Sequence, residues 1–211
     1  MENKLTRTQK LTRIAIFAGI TLLLAVTPLG YIPINVLFLV LPSITIMVLP
    51  VVLGGLSIGW PAGFILGLVF GLSSFFRAPT EALGVLMMGI SPFATFVVCV
   101  VPRVLVGLAS DGMGALIRKK NYLHRFLVYG LSGLAASLSN TVLFLGAIWL
   151  LFDAEATGVT LPVIMSIVAF NGLVEAATNA IFTAVLGQVL LRKKAGGEGP
   201  VEEREVKPPA E

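Results

Sequence analysis

The chain has 211 residues, 56% of them hydrophobic and 12% charged, with a formal net charge of +4 and a mean hydropathy of +0.96. That balance lies far outside the range of soluble domains and describes an all-α integral membrane protein embedded in a lipid bilayer. Its positive charges are grouped as orientation signals and not spread as a nucleic-acid patch, so no nucleic-acid partner is expected.

A bilayer core about 30 Å thick takes roughly 20 apolar residues per helix. After a basic N-terminal segment, 1–13, stretches with little or no charge run over 14–29, 36–76, 82–117, 126–152 and 161–191. The second is too long for one span, and its "SIGWPAG" at 57–63 combines glycine, proline and tryptophan as a tight hairpin with an interfacial anchor does. Six transmembrane helices are therefore predicted, at about 14–29, 44–58, 62–76, 92–117, 126–152 and 162–191, within a membrane domain over 14–194.

The first of these follows basic residues as a secretory signal does, but five more spans come after it and no small-residue cleavage site stands out. It is read as a retained helix. The segment "TPLGYIPINVLFLVLPS" at 27–43 is too apolar and too proline-broken for an aqueous loop. Two readings remain open for it: a cap folded over the outer mouth with Tyr31 pointing inward, or a segment lying at the interface. The tail "AGGEGPVEEREVKPPAE" at 195–211 is polar and rich in Gly and Pro, the composition of a disordered cytoplasmic end. Cys99 is the one cysteine, so no intrachain disulfide framework exists.

Lys4, Arg7, Lys10 and Arg13 precede the first helix, Arg118, Lys119, Lys120 and Arg125 separate the fourth from the fifth, and Arg192, Lys193 and Lys194 follow the sixth. With six spans these groups share one side, opposite Arg77, Glu81, Asp153 and Glu155. The positive-inside rule then places both termini in the cytoplasm.

Against this apolar background the sixth helix carries Asn171, Glu175 and Asn179, four residues apart. Each step turns about 40°, so the three form one stripe. Facing lipid it would cost several kcal/mol, hence it is expected to face the interior. At 1.5 Å per residue, Asn171 lies roughly 14 Å and Glu175 about 20 Å below the outer end, beside Arg103 at roughly 16 Å on the fourth helix and Asn140 at about 18 Å on the fifth. Two readings fit that convergence. In one, Arg103 and Glu175 pair and the asparagines join helices. In the other, the groups line a pocket open to the outside, where an arginine suits a carboxylate. Elsewhere Ala15 and Gly19 form a small-xxx-small step on the first helix, and Gly63, Gly67 and Gly71 a longer one on the third. Such faces let another backbone approach, from a partner or from this chain.

Several chemistries lack their residues. No G-x-x-x-x-G-K-[ST] loop is present, so P-loop ATP binding is excluded. The single histidine, His124, is expected in the cytoplasmic loop beside Arg125, which leaves no His-based metal site and no serine–histidine pair, although Ser73 and Ser74 occur in the third helix. Those serines are expected to satisfy backbone carbonyls. No catalytic residue is assigned; an intramembrane enzyme rests on Glu175 alone as an acid–base group. The two halves show no convincing repeat, which argues against an inverted-repeat carrier and leaves the source of drive outside the chain.

"TPLGYIPI" at 27–34, "LPVVLGGLSIGWPAGFILGLVFGLSSF" at 49–75, "SPF" at 91–93 and "PRVLVGL" at 102–108 resemble the substrate-binding S components of energy-coupling factor (ECF) vitamin transporters. The likeness runs over roughly 12–190. "GYIPI" with "FGLSSF" and "NGLVEAATN" makes it most similar to the pantothenate-specific type. The resemblance implies a six-helix S-component-like bundle that captures a small water-soluble vitamin from outside and topples in the membrane to release it inward. It also implies docking on a transmembrane T component with two ATP-binding cassette ATPase subunits, which use the ATP; this chain itself carries no cofactor and no metal. In such a protein Ala15 and Gly19 are the partner interface. Arg103 holds the carboxylate of pantothenate, while Asn140, Asn171, Asn179 and Tyr31 line the site and Glu175 accepts from a hydroxyl or orients Arg103. Glu175 sits badly beside an anion unless paired or protonated, so another vitamin such as riboflavin, and a proton-coupled carrier working through Glu175, stay as alternatives.

Overall fold

A computed structural model describes residues 6–27, 30–32, 35–36, 39–40, 44–117, 122–153, 160, 162 and 172–190. Among them are seven α-helices: α1 (Arg7–Val26), α2 (Val48–Ile58), α3 (Ala62–Arg77), α4 (Ala82–Ile90), α5 (Pro92–Ile117), α6 (Tyr122–Leu151) and α7 (Leu173–Leu190). The tail at 195–211 lies outside the described residues.

α1 begins at Arg7, earlier than hydropathy predicts, because Thr6 and Gln9 form a capping box. The Thr6 hydroxyl accepts from the Gln9 N–H at 3.3 Å and the Gln9 side chain accepts from the Thr6 N–H at 3.0 Å, which satisfies two of the helix's orphan donors. Arg7, Lys10 and Arg13 thus ride on the helix itself. α1 is thinly packed, with only Ile14 and Thr21 among its buried residues.

The predicted second span is corrected at its start. Ile44–Thr45 is not helical but forms strand β4, paired antiparallel with β1 (Tyr31–Ile32), in the register Tyr31 to Thr45 and Ile32 to Ile44. Between them β2 (Asn35–Val36) pairs with β3 (Leu39–Val40). The all-α expectation therefore holds for the spans and fails for this segment, whose β-branched residues suit an extended backbone. α2 follows with 11 residues and is buried on every side, from Val48 to Ile58 except Ser57, as expected of a helix apolar all round. It touches α1, α3, α5, α6 and α7, and Val48, Val51, Val52 and Leu56 form the main core with Leu66, Phe70, Val106 and Tyr129.

"SIGWPAG" makes the predicted hairpin. Gly59 takes a φ of 78°, open to glycine at no steric cost, and Trp60 stands exposed. The following helix, α3, has no side-chain cap of its own; instead the Asp111 carboxylate of α5 accepts from the Gly63 N–H at 3.3 Å, placing negative charge at the α3 N-terminus. α3 then runs tightly along α5. A Cβ on Gly67 would sit 2.6 Å from the Arg103 carbonyl oxygen and one on Gly71 would sit 2.8 Å from the Val100 Cα, while one on Gly63 would strike the Gly107 carbonyl. The long glycine step is thus filled by this chain. Ser73 donates to the Phe70 carbonyl at 2.8 Å, as expected of a serine in that helix.

α3 closes on an ion pair, Arg77 Nε to Glu81 Oε1 at 3.3 Å. Residues 82–90, left outside the predicted spans, form α4, whose Met87 packs on Val98, Leu145, Ile148 and Phe152. α6 starts at Tyr122, so His124 and Arg125 lie on its first turn and not in a loop. It runs along α7, where the Asn179 carbonyl lies 2.5 Å from a Cβ built on Gly133.

Of the six predicted spans, four contain described helices long and apolar enough to cross a membrane, over Arg7–Val26, Ala62–Thr80, Pro92–Met113 and Phe126–Leu151; Val48–Ile58 and Leu173–Val189 are shorter apolar helices. Large apolar side chains such as Leu23, Val26, Phe93, Leu150 and Val189 face outward, which only a lipid surround makes favourable. The α3–α5 contact gives a direct check. Gly67→Ala is expected to cost about 1–3 kcal/mol through overpacking and to lower the thermal unfolding midpoint in detergent. Gly19→Ala, whose Cβ meets nothing within 4 Å, is expected to leave it unchanged.

Candidate functional site

α5, α6 and α7 each bring polar side chains into the apolar interior. Glu175 and Asn179 on α7 are buried, at 4% and 2% exposure, so the predicted stripe does face inward at both positions. Asn171 lies outside the described residues. Two partners not foreseen from sequence complete the cluster. Thr45 at the end of β4 donates its hydroxyl to Glu175 Oε1 at 2.7 Å, and Ser137 of α6 donates to the same oxygen at 3.2 Å. Asn179 Nδ2 donates to the Thr45 carbonyl and to Ser137 Oγ, both at 3.3 Å. Ser137 thus donates to one neighbour and accepts from the other, and Thr45 is held by side chain and backbone together. An unsatisfied buried carboxylate would cost several kcal/mol, and hydrogen bonds of this kind offset that cost.

Arg103 is buried on α5, but no ion pair joins it to Glu175 among the described residues. The pairing considered from sequence is corrected: Arg103 Nη1 donates to the Val98 carbonyl at 3.0 Å, and the guanidinium carbon lies 4.3 Å from the Phe144 ring centroid and 5.5 Å from that of Phe70. The reason is local. Pro102 sits inside α5 and has no N–H to give the Val98 carbonyl four residues back. That residue is fully buried, so no water replaces the missing donor, and a buried orphan carbonyl costs about 1–3 kcal/mol. The neighbouring arginine supplies a charge-assisted bond instead, and two aromatic faces receive its cation.

α6 connects the two groups. Ser137, Asn140 and Phe144 stand three and then four residues apart, on one face of the helix, so along that face Asn140 falls between the residue bonded to Glu175 and the ring near Arg103. Its carbonyl oxygen Oδ1 is buried and accepts no hydrogen bond among the described residues. Arg103 is 11 residues from Pro92 and Asn140 is 11 from Leu151, which puts both roughly 16 Å from the same end of the bundle, as the sequence predicts. Tyr31 has its backbone in β1, opposite Thr45, and its side chain lies outside what the structure describes. Ala15 and Gly19 are exposed on α1, away from this cluster.

Among the described residues, α5, α6 and α3 thus bring a buried cation, two aromatic rings and a buried acceptor without a donor into the apolar interior. Residues 9–187 match the family described as ECF transporter, substrate-specific component. The chain belongs to that family. It is a multi-pass membrane S component of a transporter and not an enzyme: members capture their solute without a cofactor, associate with a T component and ATPases, and leave ATP use to those partners. This S component is also 30% identical, over 161 residues covering 71% of the chain and 79% of the relative, to the pantothenic acid transporter PanT of Lactococcus lactis subsp. cremoris (strain MG1363).

The Thr45 bond to Glu175 can be tested without any solute. Thr45→Val, which keeps the shape and removes the donor, is expected to destabilise the S component by about 1–3 kcal/mol, read as a lower midpoint in thermal unfolding. Thr45→Ser, which keeps the hydroxyl, is expected to recover most of the loss. A valine variant as stable as the parent would mean the bond contributes nothing.

Proposed function

We propose that this S component captures pantothenate from the outer side of the cell membrane and delivers it inward through a T component carrying two ATP-binding cassette ATPase subunits. The observation that carries the site is the Arg103–Phe144–Asn140 group, a cation and, at one depth with it, a buried acceptor with no donor among the described residues. The solute is supported by its chemistry and by the 30% identity to a pantothenic acid transporter. Pantothenate offers a carboxylate to Arg103 and an amide N–H to Asn140, with hydroxyls left for Asn171 and Tyr31. Glu175 and Asn179 support the pocket wall through Thr45 and Ser137, whose hydroxyls both donate to Glu175 Oε1.

In this reading the protein crosses the membrane six times; six crossings would group Arg7, Lys10 and Arg13 with the basic residues at 118–125 and 192–194, and the positive-inside rule then puts both termini in the cytoplasm. The exposed Ala15 and Gly19 face of α1 takes the T component, because small residues let a partner helix come close.

Two arms test this. The detergent-purified chain is screened by thermal shift against a vitamin panel; pantothenate is expected to raise the midpoint by mass action, and Asn140→Ala to weaken its binding about 10-fold or more. A different vitamin as the best ligand would overturn the solute and keep the family. In proteoliposomes, uptake is expected only when T component, ATPases and ATP are present. Uptake by this chain alone, abolished by collapsing a proton gradient, would replace the proposal with a carrier.

A further inference from the structure

We propose that Pro102 is a positioning residue of the solute site: by removing the donor from the Val98 carbonyl, it creates the acceptor that fixes the direction of the Arg103 guanidinium. This rests on the reading of Arg103 as the group that meets a solute carboxylate. Among the described residues, three contacts hold the guanidinium. Nη1 donates to the Val98 carbonyl at 3.0 Å along α5, the Phe144 ring of α6 lies 4.3 Å from the guanidinium carbon, and the Phe70 ring of α3 lies 5.5 Å from it. These contacts restrain the planar group along an N–H and over its face, and of the three the hydrogen bond is the directional one.

That constraint exists because residue 102 is proline. With any other residue there, its own N–H would bond the Val98 carbonyl in the ordinary helical pattern, and the arginine would lose this acceptor. The arrangement also sets where the fork points. Helical side chains lean toward the N-terminus of their helix, and a carbonyl five residues back draws Arg103 further that way, toward the Pro92 end of α5. The backbone at this point cannot yield, since the Arg103 carbonyl is the atom against which Gly67 of α3 packs. A proline break in the middle of a close helix contact thus serves to aim a buried cation, and the cation in turn repairs the break.

The test is a double-mutant cycle on the full chain in detergent, with Pro102→Ala, Arg103→Met and the double variant. Thermal midpoints need no solute. Arg103→Met is expected to lower the midpoint clearly when Pro102 is present. In the Pro102→Ala background, where the new residue supplies its own N–H to Val98, the same change is expected to lower it much less. Arg103→Lys is expected to recover part of the loss. Additive effects of the two changes would overturn the proposal. The second readout is pantothenate affinity by equilibrium binding. Pro102→Ala, with Arg103 intact and stability unchanged or raised, is expected to bind pantothenate about 10-fold more weakly, because the fork is no longer preset. Unchanged affinity would overturn the positioning role. If the unsubstituted chain binds no pantothenate, the solute assignment fails by itself, and the cycle alone decides the link: non-additivity upholds it and additivity overturns it.

Discussion

No water reaches the apolar interior of a bilayer, so each polar group placed there must find its partner within the protein. The arrangement of the Glu175 carboxylate follows from that constraint. Its donors come from Thr45 and Ser137, which belong to an extended strand and to a different helix, so satisfying one carboxyl group ties both β4 and α6 to α7. Asn179 repeats the tie through the Thr45 carbonyl. The same bonds explain how an 11-residue α2 can be the centre of the bundle: the chain entering it is already fastened by Thr45, three residues before its first turn.

Hydrogen bonds of this kind require close helices, and lipid supplies no hydrophobic drive between helix surfaces. Approach depends on small residues instead. Gly63, Gly67 and Gly71 admit the α5 backbone to α3, and Gly133 admits the Asn179 carbonyl and Thr183 to α6. Without the first contact Phe70 could not stand beside Arg103, and without the second Ser137 could not span from Glu175 to Asn179. The glycines decide the distances, and the polar residues use them.

The sequence made α7 legible because charge is so scarce in the chain that Glu175 and Asn179 stand out, and their four-residue spacing already implies one inward face. The depth of Arg103 and Asn140 followed from rise per residue alone. Thr45 and Ser137 were not legible, since a hydroxyl on a helix or strand reads as a local bond to a nearby carbonyl, as it does at Ser73 and Ser132, and only tertiary contact turns it toward a carboxylate. A signal for Ser137 was present in its position three residues before Asn140. Of the two readings for Arg103 and Glu175, direct pairing finds no ion pair among the described residues, and the bond Arg103 makes instead was hard to foresee because Pro102 acts by lacking a hydrogen. The β ribbons were hidden because hydropathy registers that 31–45 is apolar without distinguishing strand from helix in so short a run.

The polar cluster and the exposed small face of α1 occupy different parts of the bundle, and α2 and α3 are the elements that touch both α1 and α5. α2 is packed on every side, and α3 is set against α5 by glycines with no room to slide, so a displacement of α5 at Arg103 must be carried by α3 as a unit. α1, with little of its own surface buried, is the helix best able to exchange its lipid contacts for a protein partner, since that exchange disrupts nothing inside. In the proposed reading, close-packed helices around the polar cluster and a loosely covered helix at the edge divide two tasks that conflict in one element: holding a polar group in fixed geometry within an apolar solvent, and presenting a surface that another membrane protein can take and release.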